Sequence, residues 1–211
     1  AGEGGMLLTN NDELARKARM FSCHGIERDQ NLFEKWNINN ENGEISDKSS
    51  KLKNIDKAPW LYQQQVLGYN YRITDIQSAL GISQFKRIDE TIDKRQKIFN
   101  IYQEKFRDYK NLLTPVEFPN MVCAYHLYVI RYNGDDPQWR VKKVNKLRDN
   151  GIFAQIHYIP IHLQPWYVKN FGKNLDLYSN SENYYSNCIS IPLFPDIAEE
   201  DIQRVIKLVV E

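Results

Sequence analysis

The sequence predicts an α/β fold in which helices pack against a small sheet. Apolar residues recur at close to helical spacing over residues 74–106, and after Pro115 short strand-like segments alternate with helical ones. Such alternation is typical of helices layered on a sheet. A chain of 211 residues is long enough to bury a core and can form one or two domains.

The first part of the chain predicts one short strand, one helix and a long loop. Residues 6–9 have the apolar character of a strand, and Asn10 with Glu13 marks the start of a helix that we expect to reach about Phe21. Residues 26–57 are rich in Asn, Lys, Asp and Ser, which predicts a surface loop with at most a brief strand or helical turn. A loop of this length is usually functional or disordered.

A well-defined helix start lies at Thr74. Thr74 and Gln77 fit a capping box, in which the Thr hydroxyl accepts from the Gln77 N–H and the Gln side chain reaches back to the Thr74 N–H. We expect a long helix from this point, bent or broken partway. Its apolar positions are Ile76, Leu80, Ile88, Ile92, Phe99, Tyr102 and Phe106.

The elements after Pro115 alternate between strand and helix. The patterns predict strands at residues 125–132, 153–158 and 189–193. They predict helices from Pro137 to just before Gly151, over residues 181–187, and over residues 199–210.

The composition argues against several classes of function. Lys and Arg number 28 and Asp and Glu 27, so the basic excess that accompanies nucleic-acid or membrane-surface binding is absent. No apolar run approaches the roughly 18 residues of a membrane-spanning helix. Three scattered cysteines indicate a reducing compartment, and their spacing fits no zinc site. We therefore expect a cytoplasmic protein with neither nucleic acid nor membrane as a partner.

Residues 68–77 combine a polar turn with the helix start. Asn70 offers an amide with two N–H donors, and Arg72 offers a planar guanidinium that matches phosphate oxygens. Helix N-termini also attract phosphates. These features suggest a site for an anionic ligand. The alternative is a core or interface turn with packed tyrosines and with Arg72 paired to a carboxylate.

The same segment carries a family resemblance. Gly-Tyr-Asn-Tyr-Arg at residues 68–72, followed by Thr-Asp-Ile-Gln-Ser-Ala-Leu-Gly at residues 74–81, resembles the signature of DegT/StrS-type nucleotide-sugar aminotransferases. Within the family, the chain resembles in particular the transaminases that act on UDP-linked 4-keto-6-deoxy-N-acetylhexosamines. Further matches follow in the family's order: Glu-Gly-Gly at 3–5, Cys-His-Gly at 23–25 in place of the usual Ser-His-Gly, Tyr-His-Leu-Tyr at 125–128, Gly-Ile at 151–152, His-Tyr-Ile-Pro-Ile-His at 157–162, and Ile-Pro-Leu-Phe-Pro at 191–195.

The resemblance implies the C-terminal part of a fold type I transferase that uses pyridoxal phosphate. Residues 1–95 would be the end of the large cofactor-binding domain, with a dimer-facing loop, and residues 96–211 the small α/β domain. The boundary near residue 95 would lie within the long linking helix. In the family, the lysine that bonds to the cofactor lies a few residues before Glu-Gly-Gly. We therefore expect this chain to be part of a longer protein and to hold no catalytic residue itself.

The resemblance also assigns the site residues. Asn70 would donate to the cofactor phosphate of the neighbouring subunit in a homodimer, and Arg72 would approach the nucleotide-sugar from the same loop. His162, Tyr158 and Tyr167 would contact the substrate.

The other histidines have structural interpretations. His157, at the end of a predicted strand, and His126, within another, are more simply structural side chains, and His24 beside Gly25 shapes a turn near the domain junction in the family. The spacing of the four histidines resembles no metal-binding helix pair, so we expect no metal site.

We therefore expect the C-terminal portion of an aminotransferase that moves an amino group, with glutamate as donor, to a keto-deoxy nucleotide-sugar for surface glycan biosynthesis. The portion alone should be inactive. Two alternatives remain. One is a lysine-less module that dimerises or binds sugar nucleotides, and the other is a sugar dehydratase that uses the same cofactor with histidine in place of the lysine. The residue at the lysine position distinguishes the three.

Overall fold

A computed structural model describes residues 1–34, 59–172 and 175–211 of the chain. Contacts divide it into two compact units, Ala1–Phe85 and Lys86–Glu211. Most of the loop predicted at residues 26–57 lies outside the described residues.

The first unit contains one capped helix and a small β-ribbon. Helix α1 spans Asp12–Ser22, and the Asn11 side chain caps it by accepting from the Leu14 N–H at 2.9 Å. Strand β1 (Ile26–Glu27) pairs antiparallel with β2 (Gln63–Gln64), and a 3₁₀ turn at Gln30–Leu32 follows β1. The predicted first helix is confirmed, with its cap one residue later than expected.

Glu27 connects β1 to α1. Its buried carboxylate accepts from the backbone N–H groups of Asp29 at 2.9 Å and Arg28 at 2.8 Å, and from Arg16 Nη1 at 3.0 Å. The Asp29 N–H foremost, and the Arg16 guanidinium with it, lowers the pKa of this carboxyl below its usual value. Glu27 thus holds the chain that leaves α1 against the helix.

Residues 6–9 do not form the predicted strand. Within the described ranges no strand pairs with them, and Met6 and Leu8 are 86% and 85% exposed. A strand needs a neighbour that bonds to its N–H and C=O groups. Apolar composition predicted the strand, but no described neighbour supplies that ladder.

The predicted long helix forms in two pieces, as expected. Helix α2 spans Asp75–Phe85 and helix α3 spans Ile88–Phe106. The capping box is confirmed, because the Gln77 N–H donates to Thr74 Oγ1 at 3.3 Å and the Thr74 N–H donates to Gln77 Oε1 at 3.1 Å.

The second unit contains a three-stranded antiparallel sheet in the order β3-β4-β5. Its strands are β3 (Leu112–Leu113), β4 (Tyr128–Tyr132) and β5 (Cys188–Ile191). In the register of β4 and β5, Tyr128 lies opposite Ile191 and Ile130 opposite Ile189. The remaining elements are α4 (Trp139–Asp149), α5 (Pro165–Phe171), α6 (Ser179–Asn187) and α7 (Glu199–Val210), with 3₁₀ turns at Ile161–Leu163 and Leu175–Tyr178.

The core of this unit is an aromatic cluster between α3 and the sheet. Phe99, Tyr102 and Phe106 of α3 surround the buried ring of Tyr128, and the Tyr102 and Tyr128 rings meet edge-to-face with centroids 5.0 Å apart. Burial raises the pKa of both tyrosines above its usual value. Because α3 packs in this core, the second compact unit begins at Lys86. The boundary near residue 95, as a division of the intact protein, stays a prediction.

Two predicted strands are shorter than expected. The strand at residues 125–132 begins only at Tyr128, because Tyr125 has a φ of 48°, outside the extended region. At residues 153–158 only Gln155 forms a bridge, with Ser190 of β5. The strand predicted there is wrong, and the segment forms only this isolated β-bridge with β5. The helices predicted at residues 181–187 and 199–210 are confirmed.

Tyr102→Phe should destabilise the second unit by about 1 kcal/mol, because the Tyr102 hydroxyl donates to the Pro192 carbonyl at 2.9 Å inside the core. Urea denaturation of wild type and variant measures this difference. Tyr109→Phe is the matched control, because Tyr109 is partly exposed; its free energy of unfolding should stay within about 0.5 kcal/mol of wild type. Equal losses of unfolding free energy in the two variants would show that the hydrogen bond from Tyr102 to Pro192 does not stabilise the unit.

Candidate functional site

The polar segment at residues 69–72 is attached to the C-terminal end of α1. The Tyr69 N–H donates to the Phe21 carbonyl and the Tyr71 N–H to the Ser22 carbonyl, both at 2.8 Å. The His24 N–H donates back to the Tyr69 carbonyl at 2.8 Å. The last carbonyls of a helix have no partner within the helix. The segment supplies these partners, and its own backbone is fixed in return.

This backbone places Asn70 and Arg72 side by side. Side chains two residues apart in an extended segment share a face. The Tyr69 and Tyr71 rings accordingly stack on each other, with centroids 4.9 Å apart and planes 5° from parallel. Asn70 and Arg72 also contact each other, because Arg72 Nε donates to Asn70 Oδ1 at 3.0 Å.

The contact fixes the direction of the Asn70 amide. A guanidinium can only donate, so the amide oxygen faces Arg72 and the NH₂ group remains. That NH₂ group has no hydrogen-bond partner among the described residues, and both side chains are exposed. The pair thus presents N–H donors to solvent, which is the chemistry that a phosphate needs.

The N-terminus of α2 is less available than its sequence suggested. The capping box already satisfies the N–H groups of Thr74 and Gln77, and Asp75 places a carboxylate in the first turn. The N–H donors that remain available to an anion are therefore those of Asn70 and Arg72 rather than those of the Thr74 and Gln77 backbone. Within the described residues Arg72 has no carboxylate partner, so the alternative of a paired arginine is not observed.

His24 is a further member of this group that the sequence did not assign to the site. His24 Nε2 lies 3.5 Å from an Arg72 guanidinium nitrogen. The His24 backbone has a φ of 58°. The turn at His24 and Gly25 lies in close contact with residues 66–68. A Cβ on Gly25 would overlap the Val66 carbonyl oxygen, and a Cβ on Gly68 would overlap the Gly25 backbone nitrogen. Glycine is therefore needed at residues 25 and 68, where these two segments cross.

The second unit contains a pocket of about 460 Å³ beside the segment at residues 157–162. Two of the predicted substrate residues, His162 and Tyr167, line it together. Phe171, Tyr178 and Ser181 complete much of the wall. A lining of aromatic rings with a few hydroxyl groups is typical of small-molecule sites.

Tyr158 does not belong to this pocket. Its side chain is 76% exposed, and its ring meets the His157 ring edge-to-face at 4.7 Å. His157 is hydrogen-bonded, as its structural interpretation required, because its Nδ1 lies 2.8 Å from Ser190 Oγ. His126, predicted within a strand, is exposed and lies two residues before β4 begins.

Two partners of His162 were not revealed by the sequence: Tyr178, which lines the pocket, and Glu182, which contacts His162. Glu182 Oε1 lies 2.9 Å from His162 Nε2, and the Tyr178 ring stacks on the His162 ring at 4.4 Å. Glu182 is 20 residues from His162 and shares no motif with it, so only the packing of α6 brings them together. Within residues 1–34, 59–172 and 175–211, no cluster of three histidine, cysteine or acidic residues could hold a metal ion.

The sequence pattern of the DegT/DnrJ/EryC1/StrS aminotransferase family matches residues 1–210. The chain belongs to this family. The predicted family is thereby confirmed, and solved structures of family members share the α/β fold.

Two curated relatives and one solved structure illustrate the similarity. The DegT-family chain is 33% identical over 210 residues to the spore coat polysaccharide biosynthesis protein SpsC of Bacillus subtilis, covering 99% of this chain and 49% of SpsC. It is 29% identical over 203 residues to the UDP-4-amino-4,6-dideoxy-N-acetyl-beta-L-altrosamine transaminase of Campylobacter jejuni, covering 96% of this chain and 46% of that enzyme.

The solved structure is that of Helicobacter pylori PseC, an aminotransferase involved in the biosynthesis of pseudoaminic acid. It superposes with a TM-score of 0.71 at 26% identity, covering 96% of this chain and 46% of PseC. The chain spans about half the length of the curated relatives it matches.

None of the helices in the described parts of this DegT-family chain is both long and apolar enough to cross a membrane. The three cysteines, Cys23, Cys123 and Cys188, are free thiols.

Gly68→Ala should release the segment at residues 69–72, because the new Cβ would overlap the Gly25 backbone. We expect the free energy of unfolding to fall by about 1–3 kcal/mol, and the amide hydrogens of Tyr69 and Tyr71 to exchange faster. Gly5→Ala is the control, because no atom lies within 4 Å of the Cβ it would add. Slow exchange at both tyrosines in Gly68→Ala would show that the crossing does not hold the segment.

Proposed function

We propose that the intact protein is a pyridoxal-phosphate-dependent aminotransferase that transfers an amino group to a keto carbon of a nucleotide-sugar. The observation that carries the proposal is the family match over residues 1–210 together with the paired donors of Asn70 and Arg72. The names of the relatives support sugar substrates and a place in surface polysaccharide biosynthesis.

The first unit offers hydrogen-bond donors for the phosphate end of the cofactor. A phosphate requires N–H donors that are fixed in direction and free of other partners, and the Asn70 amide meets both conditions. Arg72 adds a positive charge next to it. When bound, pyridoxal phosphate would supply an electron sink for the bond-breaking steps. We propose that Asn70 binds the phosphate and that Arg72 faces the nucleotide-sugar.

The second unit supplies the proposed sugar contacts. His162 and Tyr167 share one pocket and can donate to or accept from hydroxyl groups of a sugar. Tyr158 is exposed outside that pocket, so its proposed contact with substrate would come from a different side. Glutamate as the amino donor is part of the proposal. The free thiols support a cytoplasmic location.

We further propose that the enzyme is a homodimer with shared sites. In this arrangement Asn70 and Arg72 of one subunit would complete the site that contains the lysine of the other. The exposed face of the segment at residues 69–72 supports this, because its donors find no partner among the described residues of their own chain.

Mixing two inactive variants tests the shared site. One full-length variant lacks the cofactor-binding lysine, and the other carries Asn70→Ala and Arg72→Ala. After subunit exchange, activity should rise toward about a quarter of wild type, because roughly half of the dimers are mixed and each has one complete site of two. Transaminase activity is measured before and after exchange, and differently tagged subunits confirm that mixing occurred.

Each variant alone serves as the control and should remain inactive. A mixture that exchanges subunits and stays inactive would contradict the shared site. A wild-type protein that transfers no amino group to any keto-sugar nucleotide would contradict the proposed function.

A further inference from the structure

His162 is held on two sides by side chains of its own unit. Its Nε2 lies 2.9 Å from Glu182 Oε1, and the Tyr178 ring stacks on its ring with centroids 4.4 Å apart and planes 26° from parallel. The His162 side chain is 16% exposed and that of Glu182 is 32% exposed. Together these contacts restrict both the position and the rotation of the imidazole.

The contact with Glu182 determines which nitrogen carries the proton. An ionised carboxylate only accepts hydrogen bonds, so the nitrogen that faces it must donate. In the neutral imidazole the other nitrogen, Nδ1, is then an acceptor. Among the described residues Nδ1 has no hydrogen-bond partner. Nδ1 of His162 can therefore accept a hydrogen bond from a ligand.

The pocket that His162 lines suits a sugar. His162 lines the pocket of about 460 Å³ together with the hydroxyl-bearing side chains of Tyr167, Tyr178 and Ser181 and the apolar side chains of Phe171 and Leu177. Sugars present hydroxyl and amide N–H donors on a partly apolar ring. An imidazole fixed as an acceptor would select such a donor.

We propose that Glu182 is a positioning residue for His162. It accepts from His162 Nε2–H and thereby sets Nδ1 to accept from a hydroxyl or amide N–H of the sugar. Tyr178 fixes the plane of the ring. The identity of the ligand as a nucleotide-sugar rests on the function proposed above, whereas the contact between Glu182 and His162 does not.

The contact can be measured without any ligand. The full chain contains four histidines, so ¹⁵N-histidine labelling resolves each ring by magnetic resonance, and His162→Gln assigns one set of signals. At about pH 8, where imidazoles are mostly neutral, wild type should show His162 protonated at Nε2, with a slowly exchanging proton. Glu182→Ala should lose that proton signal to exchange with water. Glu182→Gln should keep it in weakened form, because the amide oxygen still accepts.

The effect on the ligand is measured in the intact protein with UDP-N-acetylglucosamine as the probe. Titration calorimetry should show affinity about tenfold lower in Glu182→Ala, as expected for one lost hydrogen bond. Glu182→Gln should restore most of the affinity. The matched control is Glu104→Ala, which should leave binding unchanged because the Glu104 side chain is 70% exposed.

The outcomes separate the two claims. A His162 proton on Nδ1 in wild type, or an unchanged Nε2 proton in Glu182→Ala, would overturn the positioning role. Unchanged probe affinity in a folded Glu182→Ala would also overturn it, because a purely structural ion pair predicts that result. A wild-type protein that fails to bind the probe while its His162 proton behaves as expected would overturn the nucleotide-sugar ligand and support the Glu182 contact.

Discussion

The two backbone hydrogen bonds from Tyr69 and Tyr71 to the final carbonyls of α1 determine the arrangement of the first unit's site. They satisfy the Phe21 and Ser22 carbonyls, which the helix itself cannot do. Because they hold the segment extended, Asn70 and Arg72 share a face and bond to each other. The crossing that makes this possible needs glycine at residues 25 and 68, since a side chain at either position would overlap backbone atoms. The donors for an anion therefore depend on a backbone arrangement rather than on a charged cluster.

In the second unit, an aromatic core fixes the strands, and residues 155–157 contact β5. Tyr128 of β4 is enclosed by α3, and β5 pairs with β4. Ser190 of β5 then forms the bridge to Gln155 and approaches His157 at 2.8 Å. From there the chain runs to His162, which α6 meets through Glu182. The pocket thus depends on long-range packing.

The two sites differ in how far the sequence could predict them. The capping box at Thr74 and the break in the long helix were predictable, because each depends on residues that are close in the chain. The sequence also named Asn70 and Arg72 as candidate donors for an anion, but it did not predict the hydrogen bond between them. Glu182 was not predictable, because a polar helix residue carries no sign of its partner 20 residues away. The strands at residues 6–9 and 153–158 were wrong because apolar pattern specifies a face but not a neighbour to pair with. Tyr125 shortened a third strand through a φ of 48°, which no pattern announces.

The proposed cofactor site depends most on the Asn70 amide, which Arg72 fixes in direction and which we propose binds the cofactor phosphate. The most direct measurement is the dissociation constant of pyridoxal phosphate from the intact protein with Asn70→Ala. We expect a constant roughly tenfold to a hundredfold higher than that of wild type, because a hydrogen bond to a charged phosphate contributes about 1.5–3 kcal/mol. Asn100→Ala, an exposed asparagine of α3, should leave it unchanged. Equal constants for Asn70→Ala and wild type would contradict the claim.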